Sequence, residues 1–283
     1  LAHLLRGINH IMVCRRNWLA IWLLVSALGA CPFAAPAPAQ DFRIDTEIFV
    51  GDDKEPAAET LTIFAQGMIY DFLLTEPAEM TMLDTVRGRF TLMDPARRVK
   101  CGLGTLEVHD QTLALATHAT QSRDALFAFA AKPQFETKVE DYEENGQLLT
   151  RIMLKGKPLE YAIVAREPER PEAVTAFRYF ADEFAQLNSL RAGNLPAGAR
   201  LEVNQALFDR KLIPVEVTRT ISASNPLGKK IVVKSRHLVN WSLSGEDRKK
   251  IDRAGTALAE FKSVSFEEYR ASAGKPAGNV AKK

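Results

Sequence analysis

Residues 58–103 read AETLTIFAQGMIYDFLLTEPAEMTMLDTVRGRFTLMDPARRVKCGL. Short apolar segments recur in this stretch between turn signals. Ala58 to Phe64 runs into Gln66-Gly67, after which Met68 to Leu74 places Tyr70 and Phe72 on the same side. Glu79 to Asp84 and Phe90 to Met93 flank Val86-Arg87-Gly88, and the Asp94-Pro95 turn precedes Arg97 to Leu103. Strands joined by turns this short pair with their sequence neighbours, which predicts an antiparallel meander. Upstream, Phe42, Ile44, Ile48 and Val50 alternate with Arg43, Asp45 and Glu47, the pattern of one more half-buried strand.

Downstream the period changes. Residues from about Asp110 to Ala131 favour helix, with a break near Ser122, where Asp124 can cap a second segment from Ala125. Strands resume at Phe135 to Tyr142. Asn145-Gly146 then marks a hairpin, because a type I′ turn needs positive φ at both central residues. Gln147 to Leu154 and Leu159 to Arg166 complete a second meander.

Pro171 opens the clearest helix. Val174, Phe177, Phe180, Ala181, Phe184, Leu187 and Leu190 recur at helical steps, and Gly193 supplies the stop. A shorter helix follows from about Ala199 to Arg210. Strands at Val215 to Ile221 and Ile231 to Leu243 come next, then a helix through Phe261 that Ser244 and Asp247 can cap reciprocally. About ten strands and three to four helices, without repeats or long linkers, predict a single α+β domain over residues 40–262. A flexible tail is expected over 263–283, where Lys275, Lys282 and Lys283 sit among Ala, Gly and Pro.

Residues 1–39 have the grammar of an export address. From an expected start at Met12, Arg15 and Arg16 form a basic region and Leu19 to Ala30 an apolar run. Ala37-Pro38-Ala39 offers cleavage after Ala39, before Gln40. That apolar run is short for crossing a ~30 Å hydrocarbon core, so a retained membrane span is the weaker reading. Leu28-Gly29-Ala30-Cys31 also resembles a bacterial lipobox, which makes a lipidated Cys31 the alternative. A membrane would then be met only through that anchor. Without this segment the chain carries 34 basic against 35 acidic residues, so nothing suggests a nucleic-acid footprint.

The segment Gly67 to Leu74, followed by Asp84 to Pro95 with its RFTLMDP ending, resembles the strand rhythm of LolA/LolB-type lipoprotein carriers. It is similar also to uncharacterised exported envelope proteins of planctomycete type. The resemblance covers about residues 41–262 as architecture and no diagnostic motif. It implies a curved, half-barrel-like antiparallel sheet packed on helices, with a hollow that holds acyl chains in a bacterial periplasm or envelope. No functional residue of the carriers has a counterpart here.

Chemistry-bearing residues are sparse. His109, His118 and His237 lack metal-ligand spacing, and there is no H-E-x-x-H, C-x-x-C, G-x-S-x-G or P-loop, so no metal, cofactor or catalytic residue is expected. His237 shares a strand face with Val233 and Val239 and reads as a hydrogen-bonded core histidine. Cys101 reads as a structural cysteine. Asp71, Asp84 and Asp94 read as strand ends and turns. Phe42, Tyr70, Phe72, Phe90, Phe177, Phe180, Phe184 and Trp241 are the candidate lining of a sheet–helix cleft, although a plain core needs the same rings. Three functions fit: a binding module for a lipid or other apolar ligand, a structural or protein-interaction module of the envelope, and an enzyme without a recognisable motif. The first, non-catalytic reading leads.

Overall fold

The structure, a computed structural model, describes residues 41–222 and 230–271. The first meander comprises β1 (Phe42–Val50), β2 (Ala58–Ala65), β3 (Met68–Leu73), β4 (Glu79–Asp84), β5 (Arg89–Asp94) and β6 (Val99–Gly104). Helices α1 (Thr105–Thr120) and α2 (Ala125–Ala131) follow, then a second meander of β7 (Glu136–Glu144), β8 (Gln147–Lys155) and β9 (Leu159–Arg166). Next come α3 (Ala173–Ser189), α4 (Gly198–Phe208), β10 (Ile213–Ile221), β11 (Ile231–Asn240) and α5 (Gly245–Glu260). The chain continues into β12 (Lys262–Ser263) and α6 (Phe266–Ala271).

All twelve strands join one sheet, in the order β12-β6-β5-β4-β3-β2-β1-β11-β10-β9-β8-β7. Every pairing is antiparallel except the two-residue β12–β6 contact. The sheet is curved and unclosed, an α+β half-barrel packed on helices. It joins the two predicted meanders through β11, which pairs with β1 on one side and β10 on the other. The hairpin turns follow their residues: Gln66 and Gly67, like Asn145 and Gly146, all have positive φ.

Both faces of the first meander are covered. On one face Phe42, Phe64, Ile69, Leu83, Phe90 and Leu103 stand in register across six strands, all buried under α3 and its neighbours. On the other face Leu61, Ile63, Phe72, Met82 and Met93 pack with Ala254, Ala257 and Phe261, so α5 covers that side. The α5 N-terminus carries the predicted capping box between Ser244 and Asp247. Asp247 is fully buried and also accepts a hydrogen bond from Arg43 Nη1 at 2.7 Å, tying the helix to β1. Burial works to raise the Asp247 pKa, but Ser244 and Arg43 outweigh it and hold the carboxyl below its usual range.

The structure departs from the sequence reading at three places. Helix α1 starts at Thr105, not near Asp110. Its buried side is Thr105, Val108, Thr112 and Ala119 while Leu106 and Leu113 face solvent, so its apolar periodicity misreads. Ordered chain extends beyond 262 into the expected tail: Tyr269 of α6 is buried, and the Arg97 guanidinium lies over its ring. The strand and helix counts rise accordingly, to twelve and six among the described residues. Met12, Cys31, Ala39 and the three tail lysines lie outside the described residues.

Candidate functional site

One step along the strands from the buried Phe42–Leu103 row, the same face turns polar. Ile44 is followed across the sheet by Thr62, Asp71 and Thr81; one step further, Thr46 lies between His237 and Thr60. Helix α3 packs on the apolar row through its own rings. Phe180 meets Phe64 edge-on at 5.6 Å and Phe184 meets Phe90 at 5.7 Å. Over the polar rows, space remains open between residues of α3 and the sheet. The result is an open-mouthed hollow of about 580 Å³, within the size range of small-ligand sites.

Phe177, Phe180 and Phe184 form its helix-side wall, while Thr46, Thr60, Thr62, Asp71 and His237 belong to its floor. Arg191, Asn194 and Leu195 border it from the α3–α4 connection, and Tyr161, Arg200 and Arg219 from the β9–β10 side. From β3 to β10 the hollow crosses four strand spacings, roughly 19 Å at about 4.8 Å each along the sheet.

Its polar groups differ in how well they are satisfied. Asp71 Oδ1 accepts a hydrogen bond from the Thr62 hydroxyl at 2.7 Å. Burial pushes the Asp71 pKa up to about 6, with Thr62 opposing. Glu79 raises it further and Arg191, which pairs with Glu79, lowers it. His237 Nδ1 lies 3.0 Å from the Thr46 hydroxyl and Nε2 3.0 Å from the Ser235 hydroxyl. Burial, with the Arg200 charge beside it, lowers the His237 pKa to about 3, so the ring is neutral and pairs both nitrogens with hydroxyls.

The β9–β10 side is cationic. Arg200 and Arg219 form no ion pair with any carboxylate among the described residues. The acid acting on Arg200 is Asp182, which already binds Arg178 and Asn204. Arg219 Nε is buried without a hydrogen-bond partner. Burial lowers the Arg200 pKa and raises that of the adjoining Tyr161 hydroxyl, which feels both guanidiniums.

Of the eight aromatics singled out in the sequence, three reach this hollow: Phe177, Phe180 and Phe184. Phe42 and Phe90 lie in the buried row beside it, and Trp241 packs on the same core near Phe42. Tyr70 and Phe72 flank Asp71 on β3 and therefore point to the opposite face, into the α5 core. Asp84 and Asp94 hold their own turns through Arg87 and Arg97, whereas Asp71 sits mid-strand over the hollow, unlike the strand end the sequence suggested. His237 is hydrogen-bonded as expected, but at the hollow's floor. Arg200 and Arg219 were not picked out by the sequence at all. Cys101 is buried in the core, and burial raises its thiol pKa. His109 reaches the buried Glu183 at 3.1 Å, linking α1 to α3. Among the described residues no group of three or more His, Cys, Asp or Glu could hold a metal. Nor is any helix there long and apolar enough to cross a membrane.

No family model and no curated protein matches this chain. Among solved structures it is similar to PNGF-II in its C2 and P21 crystal forms, at 9% and 10% identity and a TM-score of 0.36 in each. Those alignments cover 82% of this chain, which spans about a third of the PNGF-II chain (32% and 33%). A LolA superfamily protein from Nitrosomonas europaea aligns at 5% identity and TM-score 0.25, over 75% of this chain and 90% of its own. What the hollow can hold follows from its own residues.

Proposed function

We propose that this chain is an exported, non-catalytic binding or carrier protein of a bacterial envelope, and that a lipid or other apolar ligand occupies the hollow under α3. The supporting observation is the hollow itself: about 580 Å³ of space walled by Phe177, Phe180 and Phe184, where a plain core would have closed. A chain of ~16 carbons gains roughly 10 kcal/mol gross on burial at about 0.8 kcal/mol per methylene, before association costs. Shape and apolarity suffice for such a ligand, so the lack of a catalytic motif fits this role. Export is supported by the basic, apolar and small-residue order of Arg15 through Ala39. An envelope interaction module is the second reading, favoured by Leu106 and Leu113, which stand exposed on one side of α1.

A long-chain polyene methyl ester, fluorescent only when shielded from water, tests the binding claim. Saturable 1:1 binding that an unlabelled long-chain ester competes away is the expected result. Absence of saturable binding by this ester and by the corresponding free acid rejects the ligand reading and leaves the interaction module. For export, Arg15/Arg16→Glu blocks processing in the expected case, and normal secretion of that variant contradicts the address. The mature N-terminus distinguishes Gln40 from an acylated Cys31.

A further inference from the structure

The hollow has two unlike ends. At β3, Asp71 is hydrogen-bonded to Thr62, and Arg191 beside it is neutralised by Glu79. Near β9 and β10, two guanidiniums share one enclosure with Tyr161 and a neutral His237, and no carboxylate among the described residues pairs with either. Two like charges brought together in an enclosed space repel, and an unpaired buried donor costs free energy unless something completes it. Arg219 Nε is such a donor. The Arg200 side chain borders the hollow, and its guanidinium makes no hydrogen bond to a described residue.

Resting on the apolar-ligand reading above, we propose that Arg200 and Arg219 form the headgroup subsite of an anionic amphiphile, a single-chain carboxylate or phosphate monoester. Its tail lies along the α3 rings. Guanidiniums suit this role because their planar donor fork matches the oxygen pairs of both headgroups. An anion there completes the Arg219 donor and relieves the repulsion between the arginines. The tail enters the same space against Phe177, Phe180 and Phe184. His237 leaves the balance of charge unchanged, since its neutral ring is already occupied by Thr46 and Ser235.

The test compares a polyene fatty acid with its methyl ester on the wild-type full chain, which needs no variant to fold. The acid should bind about tenfold or more tightly than the ester, the fold-change of one added charge-assisted hydrogen bond. Arg219→Met and Arg200→Met should each lower the acid's affinity by more than the ester's, collapsing the preference for the acid towards parity. A dodecyl phosphate should displace the acid far better than inorganic phosphate does. Equal wild-type affinity for acid and ester overturns the headgroup subsite while leaving the apolar-ligand reading intact. Failure of both probes overturns both. Displacement by inorganic phosphate as effective as by dodecyl phosphate identifies a free-anion site and overturns the amphiphile.

Discussion

Phe180→Ala distinguishes a ring that fills a core from a ring that walls a hollow, and Phe90→Ala is its internal reference. Phe90 is fully buried in the helix-facing row of the sheet, against Phe184 at 5.7 Å. Removing it leaves a sealed void, so the lost transfer energy and the cavity add, for about 3–5 kcal/mol. Phe180 also contacts rings, at 5.6 Å to Phe64, 4.4 Å to Phe184 and 6.4 Å to Phe177, but its remaining surface borders the hollow. A fully buried phenylalanine gains about 1.5–3 kcal/mol on transfer; a half-buried one gains less, and no new void forms where space already exists. Phe180→Ala should therefore cost about 1–2 kcal/mol, while weakening the ester probe by roughly three- to tenfold through the lost ring contact. Equilibrium urea unfolding of both variants measures the first quantity and probe titration the second. Equal destabilisation by the two substitutions, with probe affinity unchanged for Phe180→Ala, would refute the account of this wall.

Other perturbations test the floor and the scaffold. The raised Asp71 pKa, about 6 against about 4 unfolded, makes the folded state hold the extra proton between those values, so its contribution to stability falls as pH rises through that window. His237, about 3 against about 6.5 unfolded, works the opposite way: the unfolded chain holds the proton, and stability falls as pH drops below 6.5. The two slopes, each near 1.4 kcal/mol per pH unit at most, cancel between about pH 4 and 6. Asp71→Asn should unmask a steeper loss towards acid in urea unfolding across that range; a profile parallel to wild type contradicts the raised Asp71 pKa, and a flat profile in the variant contradicts the lowered His237 pKa. Ser244→Ala should cost about 1 kcal/mol through the α5 cap, and Asp247→Ala about 2 kcal/mol because it also removes the closer partner of Arg43, leaving the longer Asp45 contact. Similar melting temperatures for the two variants would reject that ranking. Gly198→Ala places a Cβ 2.5 Å from the Ala131 carbonyl oxygen, where α4 meets the end of α2. It should destabilise by about 1–3 kcal/mol, a loss an unchanged urea midpoint would disprove.

Much of the scaffold was legible because local signals agreed with it. The type I′ turn residues, the α5 capping box and the ring stripe of α3 each specify a local geometry that tertiary packing leaves alone. The Phe177, Phe180 and Phe184 wall was legible for the same reason. The floor was not. Alternation on β3 makes Tyr70 and Phe72 the obvious inward residues, yet α5 buries their face as well, so a strand covered on both sides hides which face borders open space. Arg200 and Arg219 sit on separate elements nineteen residues apart, and only the α4–β10 return brings them together; nothing local marks either one. Tyr269 was lost to the tail because a six-residue helix is too short to show periodicity.

The central claim is that the hollow under α3 holds a ligand, and native mass spectrometry of the full chain, expressed in a bacterium and purified without detergent, tests it most directly. The account predicts a lipid-sized mass adduct that denaturation removes, and that Phe180→Ala or Arg219→Met reduces in occupancy. A bare protein mass under native conditions, from chain that is folded by circular dichroism and stays bare after incubation with fatty acid and with its methyl ester, would contradict it.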